Sequence, residues 1–226
     1  DYTYSWIDAN GTNWGNSSVV PNVPAGMYTV TVTDNNACSE SAMITLLEPS
    51  AVGISFVPSN YNGFDISCDG GNDGTLSAIF TGGAGGVDMS SHIWTNSNSA
   101  IVSNTSTASS LVADTYTLTI SDYNGCVFSD SYTMVAPPVL TTTVSVVPTV
   151  CDGSIDGSAT ANPNGGTGLG TYSYLWTGGQ ITQTAIGLQG NGAVYNVTVT
   201  DINGCQVSSP ATITSPAPII VSVPTT

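Results

Sequence analysis

The chain has 226 residues, of which 15 are Asp or Glu, one is His and none is Lys or Arg, giving a formal net charge of −15. Nothing can neutralise a phosphate, so binding of nucleic acid or anionic lipid through basic patches is excluded, and so are surface salt bridges. Cohesion must come from sheet hydrogen bonds, apolar burial, disulfides and any bound cations; the 40 % hydrophobic content is enough for packed cores.

Lys and Arg make up roughly 12 % of ordinary chains, so their chance absence over this length is about a one in 10^12 event, and selection or compositional drift is acting. Resistance to trypsin-like proteases is one reading, and a Ser, Thr, Gly and Asn bias is the other. No apolar run approaches the roughly 18 residues of a membrane span and no signal peptide is visible, so the chain is expected not to be membrane-embedded. Asp1–Trp6 already sits inside a repeat, so the chain reads as an excerpt.

In chain order, Tyr2, Tyr4 and Trp6 share one face of an alternating strand. Tyr28–Cys38 then alternates apolar and polar residues for seven positions and enters an Asp-Asn-Asn-Ala turn that ends in a cysteine. The segment returns at Tyr116–Cys126 and Tyr195–Cys205, and Trp6, Trp94 and Trp176 recur in the same register. This is a repeat array with a period of about 80 to 90 residues, the size of a small β-sandwich. Residues 1–50 are the C-terminal part of one repeat, 51–137 and 138–218 are complete repeats, and 219–226 begin a further one.

The first complete repeat is expected to have strands at 52–57, 75–81, 90–94, 101–102, 109–111, 116–121 and 126–135. The second is expected at 140–147 (A), 157–161 (B), 172–176 (C), 180–183 (C′), 185–188 (E), 195–200 (F) and 205–214 (G). No 3.6-residue periodicity appears. The expected fold is all-β: tandem immunoglobulin-like or fibronectin-III-like seven-strand sandwiches. A Trp on strand C is a usual core anchor, and Tyr28, Tyr116 and Tyr195 fall where sandwich folds tie the E–F corner with a tyrosine hydroxyl. A carbohydrate-binding aromatic platform is the alternative, and core packing is favoured. The linkers at 48–50, 136–138 and 215–218 are short and proline-rich, which predicts a stiff rod adding roughly 35 to 45 Å per repeat.

Each complete repeat has one cysteine before strand B (Cys68, Cys151) and one at the start of G (Cys126, Cys205), with Cys38 in the partial repeat. Paired cysteines suggest an extracellular, oxidising setting. Pairing within repeats would join Cys68 to Cys126 and Cys151 to Cys205. The A–B loop and F–G turn lie at opposite poles of a sandwich, however, while the A–B pole of one repeat faces the F–G pole of the next. Cys68 with Cys205 is therefore favoured, which sends Cys38, Cys126 and Cys151 to partners outside this segment. Zinc is not suggested, since no CxxC occurs and His92 has no counterpart in the matching repeats.

The loops Cys68-Asp-Gly-Gly-Asn-Asp-Gly and Cys151-Asp-Gly-Ser-Ile-Asp-Gly offer oxygens to a hard cation. Asp69, Asp73 and Asp201 are the candidate Ca²⁺ ligands, with Asp152, Asp156 and Asp122 in equivalent loops and Asp34 in the partial repeat. Ordinary turn formation by Asp-Gly is the competing reading, and no other cofactor is suggested. One histidine and no lysine leave no repeated catalytic base, so enzymatic activity is not expected. Asn10, Asn16, Asn104 and Asn196 fit the glycosylation pattern, which is weakly specific in so Asn-rich a chain.

The cassette Tyr-Ser-Tyr-Leu-Trp (172–176) and Tyr-Asn-Val-Thr-Val-Thr-Asp-Ile-Asn-Gly-Cys (195–205), preceded by Cys-Asp-Gly-x-x-Asp-Gly (151–157), resembles the SprB-type repeats. These belong to very large surface adhesins of gliding Bacteroidota. The resemblance covers essentially the whole chain, although Ser90-Ser-His-Ile-Trp94 departs from it; polycystic-kidney-disease-type domains share the F strand but not the cysteines. It implies cell-surface export by the type IX system and a filament that contacts the substratum during gliding. The leading expectation is an adhesin stalk whose partners are adjacent repeats. The alternatives are repeats that themselves bind surface polysaccharide, or spacer modules of a secreted polysaccharide-degrading enzyme.

Overall fold

The computed structural model describes residues 1–88, 90–168 and 170–222, and the ordered elements among them are all β-strands. They fall into two compact units. The first holds Asp1–Gly53, Thr81–Val87 and Asp122–Asn124, and the second holds the remaining described residues. Of the strand expected at 219–226, residues 219–222 carry no strand pairing and 223–226 lie outside the described residues.

In the first unit, β1 (Tyr2–Asp8), β2 (Asn13–Gly15), β3 (Gly26–Asp34) and β4 (Ser39–Leu46) form one antiparallel sheet in the order β2-β1-β3-β4. Trp6, Trp14, Tyr28 and Ile44 line an apolar cleft of about 230 Å³ on one face, and Trp14 meets Tyr28 edge-on at 6.3 Å. Trp6 and Tyr28 are the counterparts of Trp94, Trp176 and Tyr116, which are buried in the later repeats, so this cleft lies on the face that corresponds to their core.

The next repeat contributes β5 (Gly53–Pro58), β6 (Gly74–Thr81), β7 (Ile93–Thr95), β8 (Ile101–Ser103), β9 (Thr107–Leu111), β10 (Thr115–Ser121) and β11 (Val127–Thr133). They make two sheets, β5-β6-β9 and β11-β10-β7-β8. Alternation in β10 buries Tyr116, Leu118 and Ile120 and leaves the threonines between them half-buried. Phe56 of β5 reaches Trp94 at 5.7 Å and Tyr132 at 6.0 Å, joining the two sheets.

The last repeat has β12 (Thr141–Val147), β13 (Gly157–Asn164), β14 (Ser173–Trp176), β15 (Thr184–Leu188), β16 (Val194–Thr200) and β17 (Gln206–Thr212), in sheets β12-β13-β15 and β14-β16-β17. Its core joins Ala159 and Ala161 to Trp176, Leu188, Val197 and Val199. The chain is thus an all-β protein of tandem immunoglobulin-like sandwiches. Two prolines inside strands fit this topology. Pro163 lies beyond the last β13–β15 pair at Thr160, and Pro210 lies on edge strand β17, so neither removes a needed donor.

The expected C′ strand at 180–183 is not formed, so this repeat has six strands among the described residues. Gly178 and Gly179 turn the chain at positive φ, and the Gln180 carboxamide takes over the pairing. Its Nε2 donates to the Ile186 carbonyl and its Oε1 accepts the Ile186 N–H, both at 3.0 Å.

Two devices recur in all three repeats. The indole N–H of Trp6, Trp94 and Trp176 donates to the carbonyls of Ser17, Thr105 and Thr182 at 2.9–3.0 Å, fixing the C–E connection over the core. The tyrosine corner is present too. Tyr28 donates to Pro24 O, Tyr116 donates to Val112 O, and Tyr195 accepts the Gln189 N–H.

Candidate functional site: the junction between the complete repeats

The F–G turns share one geometry. Asp34 Oδ1 accepts the N–H groups of Asn36 and Cys38 at 2.8 and 2.9 Å, and Asp201 Oδ1 accepts those of Asn203 and Cys205 at 3.0 and 2.9 Å. Asp122 Oδ1 accepts the Asn124 N–H at 2.9 Å. The fourth residue closes each turn at positive φ: Ala37 (66°), Gly125 (82°) and Gly204 (87°). This is the three-residue hairpin loop, a type I turn followed by a left-handed residue, and it presents the second-position Asn and the terminal Cys at the tip.

The A–B loops share a second geometry. Gly71 N–H donates to Cys68 O at 2.9 Å and Ser154 N–H to Cys151 O at 3.2 Å. The aspartate five residues after each cysteine accepts the N–H of the residue before it: Ser67 to Asp73 at 3.1 Å, and Val150 to Asp156 at 3.3 Å.

Within the second unit, one turn of each kind meets the other. Cys68 and Cys205 are joined by a disulfide, with Cα atoms 5.7 Å apart and a sequence separation of 137. Beside it, Asn203 Nδ2 donates to the carbonyls of Tyr61 (3.2 Å) and Ser67 (3.1 Å) in the A–B loop and to Thr167 Oγ1 (3.1 Å) in its own repeat. Asn62 donates to the Asn203 carboxamide oxygen. One asparagine thus fills both sides of the seam. The within-repeat alternative, Cys68 with Cys126 and Cys151 with Cys205, is not formed, because both Cys68 and Cys205 are spent on the junction. Cys38, Cys126 and Cys151 are exposed.

The Ca²⁺ grouping of Asp69, Asp73 and Asp201 is not assembled. Among the described residues no three His, Cys, Asp or Glu side chains gather as a cation needs. Asp201 is only 6 % exposed and turned inward, with Oδ1 capping its own turn and Oδ2 accepting the Thr167 N–H at 2.8 Å. Asp73 is committed to Ser67. In the equivalent loops Asp156 accepts the Ser154 hydroxyl (2.6 Å), Asp152 accepts that of Ser215 (3.3 Å), and Asp122 Oδ2 accepts the Ala84 N–H (3.2 Å). Turn chemistry uses the lone pairs that a metal would have used.

His92 is buried, its ring edge-on to Phe80 at 5.3 Å, which makes it a core side chain. A glycine pair was missed by sequence reasoning. Gly83 N–H donates to Ser50 O in the first unit and Gly166 N–H to Pro138 O in the second, both at 2.9 Å, so each B–C loop grips the linker that enters its repeat. The available signal was the recurrence of Gly-Gly at 82–83 and 165–166.

Burial pushes the Asp73 carboxyl up, but hydrogen bonds from Ser67 outweigh it and hold the group below the ordinary value of 3.8; the Ser154 hydroxyl does the same for Asp156. A carboxyl depressed in the folded state adds stability that is full above its unfolded pKa and is lost as pH falls through the folded one. The melting temperature at about 0.5 M salt, where carboxylate repulsion is screened, should therefore hold from pH 7 to about 5 and drop below about 3.8. An Asp73→Asn, Asp156→Asn double variant should show a shallower drop. Positive-charge repulsion adds little, because His92 and the amino terminus are the only groups that can become cationic.

No family model matches the sequence, and no curated protein matches it at a significant level. Among solved structures, the chain is similar to the three N-terminal domains of the highly immunogenic outer capsid protein Hoc of bacteriophage RB49. That match has 15 % identity over 96 % of this chain and 89 % of that one, with a TM-score of 0.48. It is also similar to the N-terminal eight Ig domains of Down Syndrome Cell Adhesion Molecule, with 12 % identity over 94 % of this chain and a TM-score of 0.39. The chain spans 32 % of the length of that second structure.

Proposed function

We propose that the chain is a tension-bearing segment of an extracellular stalk of the SprB adhesin type, holding a distal binding region away from the cell. The observation that carries this reading is the Cys68–Cys205 staple. A disulfide between repeats does little for the core of either sandwich, but it adds a covalent bridge across a short proline linker. The linker clamps and the Asn203 contacts act to the same end, and all three resist bending or stretching. The disulfide also supports an oxidising, extracellular compartment. Export by the type IX system and a part in gliding rest on the motif resemblance. The repeat aromatics do not favour the polysaccharide-platform alternative, since Trp94 and Trp176 are 0 % and 2 % exposed.

Electron microscopy of the native particle tests the proposal. A thin filament with a repeat spacing of roughly 35 to 45 Å is expected. A compact particle, or a string that bends freely at every linker, would overturn it.

A further inference from the structure

Both halves of a junction occur a second time in this chain, formed but not joined to one another. The Cys38 turn has the hydrogen bonds of the Cys205 turn, with Asn36 in the place of Asn203. The Cys151 loop has the hydrogen bonds of the Cys68 loop, with Val150 O in the place of Ser67 O. Burial separates the joined from the unjoined pair: Cys68, Asn203 and Cys205 are half-buried, whereas Asn36, Cys38 and Cys151 are exposed. Around Cys151 lies a cleft of about 410 Å³ walled by Val150, Pro216, Pro218 and Ile219; Val150 is 76 % and Ile219 95 % exposed. Asp152 and Cys151 complete a mixed lining, in which the exposed Val150 and Ile219 are the apolar surface that a docking partner would cover.

We infer that the Cys151 loop is a socket for the Cys38 turn of a second copy of this chain, so that copies associate head to tail and become disulfide-linked. The Cys68–Cys205 joint supplies the template for the disulfide and for one of its hydrogen bonds: Asn36 Nδ2 donates to Val150 O as Asn203 Nδ2 donates to Ser67 O, while the Tyr61 and Asn62 contacts have no counterpart in the shorter Cys151 loop. The Cys38 turn is taken as the plug because Asp34 Oδ1 holds the same two N–H groups that Asp201 Oδ1 holds, those of the asparagine and of the cysteine. Because plug and socket are different surfaces, the contact is heterologous and propagates into a chain of copies instead of closing as a symmetric dimer.

Disulfide formation removes two electrons and two protons from the two thiols, and oxidised glutathione accepts them. One thiolate attacks it and releases a first reduced glutathione; the second thiolate then attacks the mixed disulfide and releases another. The inference does not depend on the stalk reading, since it concerns only the pairing of two loop types.

The test incubates the full chain in a glutathione redox buffer and follows it by non-reducing electrophoresis and light scattering. A ladder of linked copies is expected, with a Cys38–Cys151 peptide in a chymotryptic map; trypsin has no cleavage site in this chain. Cys38→Ser and Cys151→Ser should each remain monomeric alone. Mixed in equal amounts they should give a dimer and nothing larger, because one supplies only the socket and the other only the plug. Asn36→Ala should slow linkage by about fivefold, the value of one hydrogen bond near 1 kcal/mol. The inference is overturned if either cysteine variant alone still forms a ladder, if the mixture stays monomeric, or if the map shows Cys38–Cys38 or a Cys38–Cys151 bridge within one copy.

Discussion

Pulled from its two ends under oxidising conditions, the chain should lengthen to only about 290–320 Å when every sandwich has unfolded, and after reduction to about 750–810 Å. The figures follow from the maximum reach of roughly 3.3–3.6 Å per residue and from where the disulfide sits. Cys68 and Cys205 are 137 residues apart in sequence but bonded, so the covalent path runs through residues 1 to 68, across the sulfurs, and on from 205. Everything between can lose its fold without adding length. A force-extension trace in buffer and again in reductant reads this directly, and the Cys205→Ala variant should behave as reduced protein under both conditions. Release of the full length under oxidising conditions would show that the staple does not carry tension, and the stalk proposal would lose its main support.

The same residues show where sequence reading succeeds and where it stops. Strand positions were legible because alternation with a period of two is set by the pleat, and Tyr28, Tyr116 and Tyr195 because a hydroxyl at a strand start has few places to go. The poles of a sandwich favoured Cys68–Cys205 but left pairing within repeats open, and the structure forms the former. Asp69, Asp73 and Asp201 were misleading as a set because sequence gives the count of carboxylates in a loop but not the destination of their lone pairs. Each F–G aspartate is used by backbone N–H groups two to four residues onward, and Asp201 by Thr167 as well. The missing C′ strand has a related cause. A single carboxamide, that of Gln180, satisfies both backbone groups of Ile186, and no strand propensity anticipates it. Asn203 left a readable trace that went unused: asparagine recurs at the same turn position as Asn36 and Asn124, where the turn itself does not require it. The close approach at Gly165 was beyond reach, since it is made by the Val139 carbonyl, 26 positions earlier in the chain.

That glycine carries the second large effect. Gly165 has φ +80°, and a Cβ built on it falls on the carbonyl oxygen of Val139, next to the linker that enters the repeat. Its own carbonyl accepts the Tyr172 hydroxyl at 2.8 Å, and the next residue donates to Pro138 O at 2.9 Å. Gly165→Ala must therefore adopt a left-handed conformation, at a cost of about 1–2 kcal/mol for an L-residue, and must also push the linker away. Loss of those two hydrogen bonds adds about 0.5–1.5 kcal/mol each, for a total near 3 kcal/mol. For a sandwich of this size that lowers the melting temperature by about 15 °C. Gly178→Ala separates the two causes, because Gly178 has φ +97° and open space around its Cβ position, so it should lose only the conformational part. Calorimetry on both variants decides the matter. A Gly165→Ala loss no larger than that of Gly178→Ala would mean that the linker is not gripped at this point, and that the joint depends on Asn203 and the staple alone.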